Sequence, residues 1–230
     1  MSALEERPLT RREQRQLLRG ERDGSGPVRE ELPVRPHPGA AGAFGLLGEV
    51  LVTGLLITIV GLAIITLPAG LAAGVRHLRR VVAAEDSRIS LFWRDVRSAL
   101  LPGAVVGAAA LALVGLLLVD IDLAQSGILP GGPAVLIVGW LGIAASALFL
   151  LAMAGEWAPE RGWRRAFRGA RSSIRADIAG AAYLVATAGF VVTVTWALVP
   201  LFIPAIGCAA LAVVAVPARR RGRQASGRGR

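Results

Sequence analysis

Between Ala43 and Val216, long apolar blocks nearly free of charge alternate with short segments that hold almost every internal arginine. A bilayer core of about 30 Å is crossed by roughly 20 apolar helical residues, so blocks of this length predict membrane-spanning helices. The first block, Phe44 to Val75, exceeds one ordinary span and is interrupted at Leu67-Pro68-Ala69-Gly70. Proline fixes φ and removes a helix donor, which predicts a kink or turn there. Beyond it, Leu71 to Val82 carries Arg76, Arg79 and Arg80 and reads as a short returning helix or as an extension of the first span. A hairpin hinged near Pro68 gives six arms with the N-terminal tail in the cytoplasm, whereas one kinked helix gives five with the tail outside.

From Ser90 to Leu100, Leu91, Phe92, Val96 and Ala99 recur at helical spacing against Arg94, Asp95 and Arg97, the pattern of an amphipathic interfacial helix. It leads into a span over Leu101 to Val119. The connection from Asp120 to Gly132 ends in the turn signal Pro130-Gly-Gly-Pro133. Further spans are expected at about Ala134 to Gly155, Ile178 to Val199 and Leu201 to Val216. The predicted fold is all-α: a polytopic helical membrane bundle over residues 43–217, with five to six helical membrane segments and an interfacial amphipathic helix. A charged N-terminal tail over residues 1–42, too polar to offset its ordering entropy, is expected to be disordered apart from a short helix near Thr10 to Leu18. Residues 218–230 read as an Arg-rich cytoplasmic tail.

Composition agrees, with 54% hydrophobic and 18% charged residues and a mean hydropathy of +0.57. All 26 basic residues are Arg, as expected of a GC-rich bacterial coding bias rather than of bidentate chemistry at each site. A net charge of +10 can indicate nucleic acid, but these arginines punctuate apolar spans, so the expected partner is a bilayer with anionic headgroups and no nucleic acid. Six Arg lie between Arg76 and Arg97, six between Arg161 and Arg175 and six from Arg219 to Arg230, with none in the two opposing loops. The positive-inside rule then predicts a multi-pass protein of the bacterial cytoplasmic (inner) membrane with its C-terminus cytoplasmic.

Candidate chemistry is sparse. Cys208 is single, and His37 and His77 stand among or near arginines, so no metal and no cofactor are expected. Neither a Walker A loop, nor H-E-x-x-H, nor G-x-S-x-G occurs, and no enzyme is expected. Glu49 is the one acid well inside an apolar block, four residues from Thr53. An intramembrane carboxylate costs about 2.5–3.5 kcal/mol at the helix centre on insertion scales, which makes Glu49, Thr53 and the Pro68 break the candidate membrane-embedded polar site. Near the end of its helix, Glu49 can instead reach headgroups or water. Asp120 and Asp122 lack the further oxygen ligands that a cation needs, and Gly103, Gly107, Gly115, Gly139 and Gly142 suit close helix packing. Trp93-Arg94-x-x-Arg97-Ser98 and Phe167-Arg168-x-x-Arg171-Ser172 share one pattern, each before a span. Either a diverged repeat or a common need for headgroup anchors accounts for it, and both sets read as lipid-interface residues.

Leu67-Pro68-Ala69 after a first apolar helix, Ala73 and Arg76, Glu85-Asp86, Phe92-Trp93 with Arg97, and Val119-Asp120-Ile121-Asp122 form an ordered set between Glu49 and Asp122. This set resembles the YesL-like family of bacterial integral membrane proteins. That family often has Gly before its acidic pair, where this chain has Ala84. The resemblance implies a small helical membrane domain without established activity, some members being encoded near carbohydrate-uptake genes. Two functions are therefore expected in competition: a non-catalytic accessory or assembly component of a transport system, with a membrane-protein partner, or a small oligomeric transporter or channel using Glu49 and Pro68. A lipid-modifying enzyme, the third possibility, lacks a nucleophile or base.

Overall fold

The computed structural model describes residues 39–127 and 131–228, with side chains placed from 42 to 218. Up to residue 38 the expectations for the N-terminal tail lie outside these residues, and residues 39–42, expected to belong to it, are instead the first residues of a helix. Seven α-helices follow in order: α1 (Gly39–Val60), α2 (Leu67–Val82), α3 (Ile89–Gln125), α4 (Gly132–Glu156), α5 (Gly162–Ala176), α6 (Ile178–Ala197) and α7 (Phe202–Arg228). Every regular element among the described residues is helical, and the all-α bundle is as expected. Five of the helices are long and apolar enough to cross a membrane, and α2 is the shorter sixth arm. Only 11–33% of each apolar window is buried within the bundle, so most of its apolar surface faces outward, as lipid requires.

The first block folds back on itself. Along α2, Gly70 lies against Ile57 and Val60, and Gly74 against Thr53 and Ile57, so ascending positions on α2 meet descending ones on α1. The turn is built before Pro68, not at it. A 3₁₀ turn at Gly61–Ala63 ends α1, Ile64 takes φ 57°, and the Thr66 hydroxyl donates to the Val60 carbonyl, closing an orphan acceptor at the helix end. Pro68 then sits in the first turn of α2, where its missing N–H costs nothing. The predicted break at Pro68 is thus corrected to a helix start.

At its other end α2 closes with a Schellman motif, the Glu85 N–H donating to Arg80 O at 2.9 Å and the Ala84 N–H to Val81 O at 3.1 Å. Ala84 occupies the left-handed position, φ 54°, where glycine is the residue of least cost.

Several boundaries differ from those expected. Residues 90–100, expected to lead into a span, form the first three turns of α3, which runs unbroken for 37 residues through Pro102. The predicted connection from Asp120 is also shorter, because α3 continues to Gln125 and carries both aspartates. A second, separate amphipathic helix is α5, with Trp163, Ala166 and Ala170 buried. Asp177 separates it from α6 by capping Gly180 N at 2.8 Å. Similarly, α7 continues to Arg228, past the expected end of the span near Val216.

Small residues set the helix approaches. A Cβ at Gly54 would overlap the Ile203 carbonyl, and one at Gly207 that of Val50, which draws α1 and α7 together in antiparallel sense. Gly107 receives the Ile65 carbonyl, while Gly139 and Gly142 receive Ile121 and Leu117; Gly115, by contrast, meets nothing within 4 Å. This antiparallel packing gathers the start of α1, the ends of α2, α4 and α7, the start of α3, and α5 at one charged end of the bundle.

Candidate functional site

The polar residues at that end are carried on α2, whose short arm is wedged between α1 and α3. Neighbouring side chains on a helix diverge by about 100°, so Arg76 and His77 face different partners. His77, buried, places Nε2 3.4 Å from Glu49 Oε2 on α1 and sets its ring edge-on to Phe92, with centroids 6.3 Å apart. Glu49 itself is 43% exposed. With the carboxylate as acceptor the ring proton sits on Nε2, and Nδ1 is left buried without a partner. Thr53, one turn from Glu49, is fully buried and its hydroxyl also has no partner. Elsewhere in the spans, Thr58, Ser146, Thr187, Thr193 and Thr195 donate to the carbonyl four residues back, so Thr53 differs from them in kind.

Arg76 and Arg80, one turn apart, converge on Asp95 of α3. Asp95 Oδ2 accepts from Arg80 Nη2 at 2.5 Å and lies 3.3 Å from Arg76 Nε, with the aspartate side chain 1% exposed. Arg76 also reaches Glu160 in the α4–α5 connection at 3.7 Å. One carboxylate oxygen, Oδ1, and one guanidinium nitrogen, Arg80 Nη1, stay buried and unpaired. Removing one member of a buried pair of this kind leaves the other charge uncompensated. A mixed-charge cleft of about 600 Å³ opens beside it, lined by Arg76, Arg79, Arg80 and Arg161 together with Glu85 and Glu156. In the nearby exposed α2–α3 loop, the hydrogen bond from Arg88 holds the Asp86 carboxyl below its ordinary range.

The expected site is therefore partly assembled. Glu49 and Thr53 share the α1–α2 interface. Pro68 does not join them: nine residues before His77, about 13 Å along the helix, it lines an apolar groove with Ile64, Leu67, Leu71 and Gly107 at the other end of the hairpin. His77, Arg76, Arg80 and Asp95 are added to the site. Asp95 does not belong to the solvated face assigned to it with Arg94 and Arg97, because three residues after Phe92 and four before Ala99 places it inside the buried stripe. That spacing was readable in the sequence; the reach of two α2 arginines across to it was not.

Trp93, Arg94 and Arg97 on α3, and Phe167, Arg168 and Arg171 on α5, are all exposed, as interface residues require. The two motifs match position by position, with Ser98 and Ser172 exposed and Leu100 and Ile174 half-buried. Trp163 ties α5 to α3 through Nε1 donating to Ala99 O at 3.3 Å, and Phe167 packs edge-on to Phe149 at 4.9 Å. Among the described residues no group of three or more His, Cys, Asp or Glu is placed to hold a metal. No protein-family model, curated protein or solved structure matches the chain.

Proposed function

We propose that this chain is an integral protein of the bacterial cytoplasmic membrane with its arginine-rich end inside, and that it acts without catalysis of its own as an accessory or assembly component of a transport system. The carrying observation is where the polar side chains are used. Glu49–His77 and Arg76/Arg80–Asp95 fasten α1, α2 and α3 to one another at the charged end. The groove at the opposite end, between α2, α3 and α4, is lined by Ile64, Pro68, Leu71, Leu111 and Val114. A single copy so arranged offers a rigid membrane platform rather than a polar route from face to face. The YesL-like resemblance supplies the carbohydrate-uptake setting. Affinity purification from native membrane, paired with flux measurement on the chain alone in liposomes, tests this: a larger permease should co-purify, and the liposomes should show no flux.

The unpaired Thr53 hydroxyl and His77 Nδ1 favour one second reading, a small oligomeric transporter or channel in which Glu49, Thr53 and His77 handle a cation or proton. Flux by the isolated chain that Glu49→Gln abolishes would establish that reading and displace the first.

A further inference from the structure

Helix α5 carries Arg164, Arg168, Arg171 and Arg175 at spacings of four, three and four residues, which brings all four within about 60° of arc on one face. Arg168, Arg171 and Arg175 line a shallow depression with Ser172 and Ala176. No carboxylate lines it, unlike the cleft beside Arg80, and among the described residues no acid pairs with these three guanidiniums. Their position is that of a membrane boundary. The exposed Phe167 ring flanks the stripe, and two residues after the helix ends, Ile178, 78% exposed, begins an apolar span.

A phosphodiester carries a single charge on two free oxygens, whereas three converging guanidiniums present more charge and more donors than one such group can satisfy. From these we infer that Arg168, Arg171, Arg175 and the Ser172 hydroxyl form a binding site for a lipid headgroup bearing two phosphate charges. The row from Arg168 to Arg175 spans about 10 Å, so two linked phosphates can lie along it in register with successive arginines. This site is independent of whether the chain has a protein partner, since every residue in it comes from α5.

The test uses the full chain in neutral phosphatidylcholine nanodiscs doped with either cardiolipin or phosphatidylglycerol at equal phosphate, with retained lipid counted by native mass spectrometry. Each arginine at an anionic lipid surface is worth about fivefold in affinity. Cardiolipin should be retained in preference to phosphatidylglycerol, and R168Q/R171Q/R175Q should lower its retention on the order of a hundredfold. S172D should weaken it as well, while R94Q/R97Q on α3, which lie outside this depression, should lower retention of both lipids alike and leave the preference for cardiolipin over phosphatidylglycerol unchanged. Equal retention of both lipids, a triple variant that melts normally and binds as before, or an equal loss of the cardiolipin preference in R94Q/R97Q would overturn the assignment. Inorganic pyrophosphate is the soluble control: tight binding of it without a preference among lipids would assign the arginines to a free phosphate and likewise overturn the lipid site.

Discussion

Asp95 holds two guanidiniums on one oxygen, so its removal leaves the largely buried Arg80 without its ion-pair partner and Arg76 with Glu160 alone. Breaking a buried pair in this way costs about 3–5 kcal/mol. Asp95→Ala should therefore melt well below the parent in detergent, with Asp95→Asn in between; an unchanged Asp95→Ala would show that the pair is not a fastening. Thr53 behaves oppositely, because its buried hydroxyl satisfies nothing. Thr53→Val removes an unpaired group whose burial costs about 1–3 kcal/mol, so the variant should be as stable as the parent or more so. A clear loss of stability would reveal a partner for that hydroxyl. Ala84 gives a third check: at φ 54° an L-residue is strained by roughly 1–2 kcal/mol, and Ala84→Gly should raise stability by about 1 kcal/mol, read from the same melts. At this scale the sequence showed Glu49 and Thr53 through their isolation in an apolar block. The cation partners of Asp95 were hidden because α2 read as a basic flank, and only the return of that helix brings its arginines to α3.

Among the elements, hydrophobic blocks of about 20 residues were legible because lipid leaves helices few alternatives. Their ends were less so, since a helix stops where a cap or turn satisfies its orphan groups. Pro68 marks a helix start after Thr66 has closed the turn, and Asp177 divides α5 from α6 where Pro102 leaves α3 whole. Packing between elements was only half readable. Gly103 and Gly107 announce a close approach by their spacing, but the crossing of Gly54 with Gly207 joins residues 153 positions apart in the chain. Gly54→Ala and Gly207→Ala should each destabilise by about 1–3 kcal/mol, because the obstructing atoms are backbone carbonyls of the facing helix. Gly115→Ala, in open space, should change little. Parity among the three in a thermal-melt series would contradict the α1–α7 contact.

For the molecule as a whole, the antiparallel hairpin of α1 and α2 makes the arms six in number, which places the starts of α1 and α3 at the same end as the close of α7. On the orientation proposed above, with the arginine-rich segments inside, the charged end, α5 and the close of α7 lie in the cytoplasm, and the short turns near Ile64, Ser126 and Pro200 lie outside. The most direct test is membrane-impermeant thiol labelling of intact cells in a Cys208→Ala background, with single cysteines introduced by Ser2→Cys, Ser126→Cys and Ser172→Cys. The account predicts labelling at position 126 alone, with positions 2 and 172 reacting only after the cells are permeabilised. Labelling of position 2 from the outside would reduce the bundle to five crossings, and labelling of position 172 would invert it.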